Sequence, residues 1–154
     1  MKKYIDSEYK RLRTAMIHEP HPTIVTYGQG GVKAVLHLRT IDYPRLVAQY
    51  KQLIIALRKN GVDVCISMTS FEGWFNYNMM YLRDLFFSTP KGVIVCGMAT
   101  DIRRSETEHI ERILKGFRIP IVGTVNGSST FEGADAIWIN KDVVMVGVGG
   151  RTNT

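Results

Sequence analysis

The apolar segments of this chain recur in one order, a β-hairpin followed by a helix and then by a returning strand, and this order constrains the fold more than any other feature. The complete instance spans residues 78–125. Its hairpin joins Leu85–Ser88 to Val93–Cys96 through a Pro-Lys-Gly turn. A helical apolar stripe follows, and Ile119–Val125 returns as a strand. Such a repeat predicts an architecture in which each unit buries its apolar face against its neighbours.

Two other stretches follow the same order in part. Residues 1–68 combine an entry strand at Thr14–His18 with a helix and a buried strand at Val62–Met68. Residues 129–154 form a further hairpin, after which a helix is expected at the point where the sequence stops. We therefore predict an α/β fold of about two and a half ββαβ-like units, all within one partial domain spanning residues 1–154.

Local signals mark where the two longer helices begin and end. Asp42 is a suitable N-cap for the first helix, and Gly61 is a suitable stop after it. Ser105 and Glu108 have the spacing of a capping box, which predicts that the second helix begins there. The glycine-rich residues 27–33 lack the Lys-Ser/Thr ending of a phosphate-binding loop, so they predict a mobile loop or lid.

The composition excludes several classes of protein. At 154 residues, with 45% hydrophobic and 10% aromatic residues, the chain is predicted to be globular with a real core. The net charge is +6, but the basic residues are spread over the chain, which does not favour a nucleic-acid partner. The N-terminus is charged and no apolar run approaches the roughly 20 residues of a membrane span, so neither a signal peptide nor a membrane anchor is predicted. The expected location is cytoplasmic.

Neither a metal nor a cofactor is predicted. Cys65 and Cys96 lie in apolar β-branched runs, which is typical of buried structural thiols, and no Cys-x-x-Cys pair is present. His109 is expected near the solvent-facing side of the second helix. All four histidines stand outside the polar segments that interrupt the apolar sequence, so no nucleophile or base is predicted beside those segments.

Three such polar segments occur, at residues 78–84, 131–135 and 147–153. Each places a carboxylate, a guanidinium or a carboxamide where the flanking sequence is typical of a buried strand. A buried charge is costly unless it has a partner, so groups in such places usually pair with one another or with a ligand. A small zwitterion with a cationic head would suit them.

The side chains of these segments indicate the two ends of a ligand. Asp84 and Glu132 stand at strand ends, and two carboxylates can neutralise and orient a guanidinium group. Arg103 and Arg151 suit a ligand carboxylate at the other end, and Asn78 can donate to the same group. Structural alternatives stay open, since Asp84 is able to pair with the arginine before it and Glu132 is able to cap a turn.

Four motifs stand in order along the second half of the chain. They are Asn78-x5-Asp84, Arg103-Arg104-x-Glu106-Thr107, Phe131-Glu132-Gly133-x-Asp135 and Gly149-x-Arg151-Thr152-Asn153. Together they resemble the successive motifs of the guanidino-group-modifying enzymes, which include arginine deiminases, dimethylargininases and amidinotransferases. Residues 11–68 match that family more loosely, through the entry strand and the helix-strand unit.

The resemblance implies an incomplete pentein-type α/β propeller, with repeated units around a central polar pocket. It implies that Asp84 and Glu132 are the catalytic residues that grip a substrate guanidinium. The implied substrate-binding residues are Arg103, Arg151 and Asn78. Asp135 is a further candidate for substrate binding, and the alternative is that it fixes its loop by accepting hydrogen bonds. The implied activity is deimination of arginine or a derivative to citrulline, and amidino transfer is the alternative.

The chain departs from the family pattern in two respects. Ala134 stands where family members usually carry a second glycine. The family's nucleophilic cysteine and its histidine lie in later units, and Cys65 and Cys96 are in the wrong place for that role. We therefore predict that this chain alone is inactive and needs a second chain, with a homo-oligomer also possible. A truncation, a split-enzyme subunit, an inactive remnant and an RNA- or ribosome-associated binding module stay open as alternatives.

Overall fold

The structure, a computed structural model, describes residues 7–68 and 77–153. The chain divides into two compact units. Residues 13–80 make up the first unit. Residues 81–154 make up the second unit, together with the N-terminal residues up to Leu12. The prediction of one partial domain for the whole chain stays a prediction.

The first unit is a parallel pair of strands joined through a long helix. β1 (Thr14–His18) leads through a 3₁₀ turn (Pro22–Val25) and the short α1 (Gly31–Ala34) to α2 (Tyr43–Lys59). β2 (Asp63–Ser67) then pairs in parallel with β1. A parallel pair needs a crossover connection of this kind, usually a helix. The predicted strand, helix and strand of this segment are confirmed.

The predicted ends of α2 are also confirmed. The Asp42 carboxylate accepts a hydrogen bond from the Arg45 backbone N–H at 3.0 Å, as an N-cap does. Gly61 follows the helix with a φ of 75°, a conformation that glycine adopts without strain. The glycine-rich residues 27–33 are not irregular throughout, because α1 begins at Gly31.

The second unit contains the predicted order of hairpin, helix and returning strand. The single-turn α3 (Leu82–Leu85) leads directly into β3 (Phe86–Thr89), which forms an antiparallel hairpin with β4 (Gly92–Val95). α4 (Asp101–Gly116) follows, and β5 (Ile121–Thr124) pairs in parallel with β4. The repeat predicted for this segment is therefore confirmed.

The predicted start of α4 is wrong. The helix begins at Asp101, about one turn earlier, and both Ser105 and Glu108 lie inside it. The extra turn carries Arg103, whose side chain is bonded to Asp84 and to the buried Glu106, and these contacts outweigh the local capping signal. His109 is not on the solvent-facing side, since it is 2% exposed. The buried face of α4 is wider than its apolar stripe and includes polar side chains.

The last predicted hairpin is confirmed, and its two faces differ. β6 (Ala136–Asn140) and β7 (Val143–Val146) pair in antiparallel fashion. One face packs in a core that comprises Phe87, Cys96, Ala136, Phe131, Trp138 and Val144. The opposite face exposes four large apolar side chains, those of Ile137, Ile139, Val143 and Met145. When one face of an antiparallel sheet is exposed to solvent, its strands normally alternate apolar and polar residues, and the polar residues lie on the exposed face. The exposed face of this hairpin is apolar instead, so it has the composition of a buried surface.

The predicted α/β class is confirmed. The described residues form three small sheets, of two, three and two strands. The arrangement of the units as a propeller stays a prediction. No helix in the described part of the chain is long and apolar enough to cross a bilayer.

Candidate functional site

Asp84 lies on α3, a single helical turn whose position depends on its surroundings. An isolated turn is not stable by itself, and no side chain caps α3. Leu82 and Leu85 anchor it in the core, with exposures of 5% and 0%. The Cys96 N–H donates to Leu85 O at 2.9 Å, which fixes the end of the turn. The core thus places the Asp84 carboxylate, which is 20% exposed.

Arg103 binds Asp84 from the first turn of α4. Its Nη1 donates to Asp84 Oδ2 at 2.5 Å, and its Nε donates to Glu106 Oε2 at 2.8 Å. The side chains of Arg103 and Glu106 are 3% and 1% exposed, so Arg103 is a buried cation between two carboxylates. Burial acts to lower the pKa of Arg103, but the Glu106 charge and the hydrogen bonds to Asp84 and Glu106 outweigh burial and raise that pKa. The guanidinium therefore stays charged and holds Asp84 in one orientation.

Glu132 lies where the chain enters a 3₁₀ turn (Gly133–Asp135), and it is buried. Arg151 Nη1 donates to both Glu132 oxygens, at 3.0 and 3.3 Å. The Arg151 side chain is 43% exposed, so this ion pair is open to solvent on one side. Because the buried Glu132 carboxylate needs a cationic partner and Arg151 reaches solvent, another cation can take the place of Arg151 without opening the core.

Thr152 links Glu132 to Asp135. Its hydroxyl oxygen accepts the Glu132 backbone N–H at 3.1 Å, and the same hydroxyl donates to Asp135 Oδ2 at 2.6 Å. Asn153 extends the contact, since its Oδ1 accepts the Thr130 N–H at 2.9 Å and its own N–H donates to Thr130 O at 3.1 Å. The segment after β7 thereby fixes the backbone on which Glu132 stands.

Glycine at position 133 permits a close approach between the 3₁₀ turn and α3. A Cβ there would lie 2.6 Å from Arg83 O and 2.8 Å from Phe86 O, and both are backbone atoms. No side chain fits this position. Ala134, by contrast, is exposed and has no positive φ, so its methyl group is accommodated where the family pattern has a second glycine.

The Cys96 thiol lies close to both acidic segments and is not suited to nucleophilic attack. Burial raises the pKa of Cys96 to about 12; the Gly133 N–H acts in the opposite direction, and the charges of Asp84 and Glu132 raise the pKa further. Such a thiol is protonated at neutral pH. The prediction of a buried thiol is confirmed for Cys96, whereas Cys65 is only half-buried.

Asn78 belongs to the first unit, where it is buried and hydrogen-bonded. Its Nδ2 donates to Val35 O at 3.0 Å, so its Oδ1 faces His37 Nε2 at 3.2 Å. Because the carboxamide oxygen can only accept, the contact requires His37 Nε2 to be the donor. Tyr27 packs edge-on against the His37 ring, with 5.9 Å between the ring centroids. The carboxamide thus has partners within its own unit.

The structure brings the predicted carboxylates of the second unit together with the predicted arginines. Asp84 pairs with Arg103 and Glu132 pairs with Arg151, although each arginine is predicted for the opposite end of the ligand. Asp135 joins the second pair through the Thr152 hydroxyl. The catalytic and substrate-binding roles stay predictions. Within residues 7–68 and 77–153, no group of three or more His, Cys, Asp and Glu side chains could hold a metal ion.

Three contacts go beyond the sequence prediction. Glu106 stands three residues after Arg103, and this helical spacing is a usable signal for an ion pair. Thr152 stands inside a recognisable motif, but nothing in the sequence indicates which groups its hydroxyl joins. Glu8 pairs with Arg83, and no sequence pattern connects these two residues.

A family model described as arginine deiminase matches residues 76–154 of the chain. Among curated proteins, the arginine deiminase of Borrelia recurrentis is 33% identical over 82 residues, and that of Streptococcus pyogenes is 30% identical over 82 residues. These matches cover 50% and 49% of this chain but 20% of each relative. The chain therefore matches about a fifth of the length of these relatives.

Solved structures are similar to the chain over most of its length. A dimethylarginine dimethylaminohydrolase matches 93% of this chain and 53% of its own, with a TM-score of 0.74 and 24% identity. A variant of that enzyme from Pseudomonas aeruginosa, in complex with citrulline, matches 92% of this chain and 52% of its own, with a TM-score of 0.74 and 23% identity. An amidinotransferase from Microseira wollei matches 87% and 51%, with a TM-score of 0.55 and 17% identity. At these identities the similarity shows a shared fold.

Proposed function

The chain belongs to the arginine deiminase family, and from this we propose that it forms the guanidinium-holding part of an enzyme that acts on arginine or an arginine derivative. The observation that carries the proposal is that two carboxylates of the second unit each bind a guanidinium group of the chain itself. Asp84 binds Arg103, and Glu132 binds Arg151. Each contact is made through one guanidinium nitrogen, Nη1, and a carboxylate that accepts such a charge-assisted hydrogen bond from the chain can accept one from a guanidinium ligand.

The two ion pairs differ in how freely they can open. Arg103 is buried and is also bonded to Glu106, so it holds Asp84 in place. Arg151 is partly exposed and bonds Glu132 alone among the described acidic side chains, so it can leave Glu132. In this proposal the substrate guanidinium replaces Arg151 at Glu132, and the released Arg151 pairs with the substrate carboxylate. Each carboxylate keeps a cationic partner throughout, and Arg151 keeps its predicted role.

The covalent step is assigned to residues outside this chain. The resemblance of the motifs implies a cysteine thiolate that attacks the guanidinium carbon and a histidine that donates a proton to the departing ammonia. Water then hydrolyses the covalent intermediate, which gives citrulline and frees the thiolate. Cys96 does not serve as this nucleophile, because its pKa is raised to about 12. Transfer of the amidino group to an acceptor amine is the second candidate, and the fold shared with an amidinotransferase favours it.

Calorimetric titration of the full chain with L-arginine tests the guanidinium site. We expect Asp84→Asn and Glu132→Gln each to weaken binding about 10- to 100-fold, because each loses a charge-assisted hydrogen bond worth about 1.5–3 kcal/mol. Asp101→Asn is the matched control, since Asp101 is 91% exposed and lies in a surface pair with Arg104. L-Lysine should bind more weakly, because its ammonium lacks the planar fork of arginine. No arginine binding by the wild type, or an equal loss in Asp101→Asn, would contradict the proposal.

The proposal places the rest of the enzyme in a second chain or in the remainder of a longer protein. The exposed apolar face of β6 and β7 supports a covering partner, since exposed patches of this kind mark interaction surfaces. Mixing the chain with a polypeptide of the same fold that carries the cysteine and the histidine should release citrulline and ammonia from arginine. Amidino transfer to an added amine would instead identify an amidinotransferase. No product under any pairing would exclude a split enzyme.

A further inference from the structure

The N-terminal arm (residues 7–12) belongs to the second unit and contacts β6. The Trp138 backbone N–H donates to Glu8 Oε2 at 2.6 Å. The other carboxylate oxygen, Glu8 Oε1, forms an ion pair with Arg83 Nη2. The Glu8 side chain is 13% exposed, so its carboxylate is largely removed from solvent. Because a buried charge without partners is costly, the Glu8 carboxylate depends on its contacts with Trp138 and Arg83.

Arg83 completes this contact from α3. Its Nη2 also donates to Ala136 O at 2.6 Å, and its guanidinium carbon lies 5.8 Å from the centroid of the Phe87 ring. Glu8 and Arg83 therefore bond an N–H and a C=O of β6 on the side where a neighbouring strand would otherwise bond. Unpaired groups of this kind at a sheet edge are a liability, and the ion pair satisfies them.

Arg83 also connects the two acidic segments of the proposed site. It directly precedes Asp84 on α3, and its carbonyl oxygen packs against Gly133, the residue after Glu132. Its side chain bonds Ala136, which follows the same 3₁₀ turn. Because α3 is a single turn without a side-chain cap, such contacts decide its placement. The Arg83 side chain and backbone together tie one acidic segment to the other.

We propose that Glu8 and Arg83 form a latch that positions Asp84 relative to Glu132, so that the N-terminal arm sets how tightly the site binds a guanidinium group. That the ligand carries a guanidinium group rests on the proposed function. The contact between Glu8 and Arg83 is observed in the structure and does not depend on that proposal. Glu8 and Arg83 are positioning residues, since they act through α3 and the 3₁₀ turn. Charge-assisted hydrogen bonds to a guanidinium require short donor–acceptor distances of about 2.7–2.9 Å, so a small movement of Asp84 relative to Glu132 is enough to weaken them.

Glu8→Gln in the full chain tests the latch. Glutamine still accepts the Trp138 N–H, but it removes the charge that holds Arg83. We expect the affinity for L-arginine to fall about tenfold while urea denaturation shows that the chain remains folded. Glu111→Gln is the matched control, because it removes the same charge from an exposed pair with Lys115 and should leave the affinity unchanged.

Amide hydrogen exchange gives a readout that needs no ligand. Glu8→Gln should raise the exchange rates of the α3 amides and of the Trp138 amide, and Glu111→Gln should not. Arg83→Lys should keep part of the affinity that Arg83→Met loses, because lysine retains a charge opposite Glu8. A solely structural role would lower the stability of these variants without changing the affinity of the folded chain.

The outcomes separate the latch from the proposed function. If the wild-type chain does not bind arginine, the proposed function fails and the exchange rates alone decide the latch. Faster exchange at α3 and Trp138 in Glu8→Gln then supports the latch, and unchanged exchange overturns it. In a chain that binds arginine, an affinity unchanged by Glu8→Gln overturns the latch as well.

Discussion

Replacement of Arg103 by methionine is expected to lower the free energy of unfolding by about 3–5 kcal/mol, because it removes the cation that neutralises the buried Glu106 carboxylate. Glu106 is 0% exposed and Arg103 is 3% exposed, so water cannot replace the guanidinium without entering the core. Urea denaturation followed by circular dichroism measures the change. Arg104→Met is the matched control: its side chain is 65% exposed in a surface pair, and its expected effect is within about 0.5 kcal/mol.

A double replacement separates the contribution of charge from that of packing. Arg103→Met combined with Glu106→Leu removes both ions that are completely buried, and buried ion pairs can often be replaced by apolar residues of similar volume without loss. Asp84 loses its partner in both variants, but at 20% exposure it is accessible to water. The double variant should therefore be more stable than Arg103→Met alone. A double variant that is less stable than either single variant would show that packing, and not charge, dominates this contact.

The Cys96 thiol is expected to react with a thiol-specific disulfide reagent about a thousandfold more slowly in the native chain than in the chain unfolded in urea. Its pKa is raised from 9.0 to about 12, and three pKa units lower the thiolate fraction at pH 8 by about that factor. The measurement uses a Cys65→Ser background, because Cys65 is half-buried and would react as well. Equal rates in the native and unfolded chains would contradict the expectation.

The same pKa shift makes stability depend on pH in the alkaline range. The unfolded chain releases the Cys96 proton above pH 9, whereas the folded chain retains it until about pH 12. The contribution of this thiol to the free energy of unfolding is therefore fully present below pH 9. It is lost as the pH rises towards 12, by about 1.4 kcal/mol per pH unit. Cys96→Ala removes this dependence, so the stability difference between wild type and variant should change with that slope.

Local signals predict the helix ends where no long-range contact competes with them. Asp42 and Gly61 act within one turn of the helix they bound, so their sequence neighbourhood decides the outcome. Ser105 and Glu108 show an equally good local pattern, yet the helix begins earlier. The difference is that Arg103 gains two carboxylate partners when the additional turn forms. A buried ion network there outweighs the capping preference.

The residues of the candidate site can be recognised from the sequence, but their pairing cannot. Asp84 and Glu132 stand out because a charge inside an apolar run needs an explanation. Which arginine binds which carboxylate depends on how α4 packs on α3 and how the segment after β7 packs on the loop before β6, and no spacing encodes this. Glu8 is a contact that the sequence could not predict. A glutamate in a charged N-terminal segment is typical of a solvated surface, yet Glu8 accepts a hydrogen bond from the Trp138 backbone N–H.

The close approach at Gly133 involves main-chain atoms alone, since Arg83 O and Phe86 O occupy the space that a Cβ would need. Main-chain atoms have no rotamers, so no change of side-chain conformation could make room for a Cβ at this contact. The spacing between the two acidic segments therefore depends on a residue that contributes no functional group of its own.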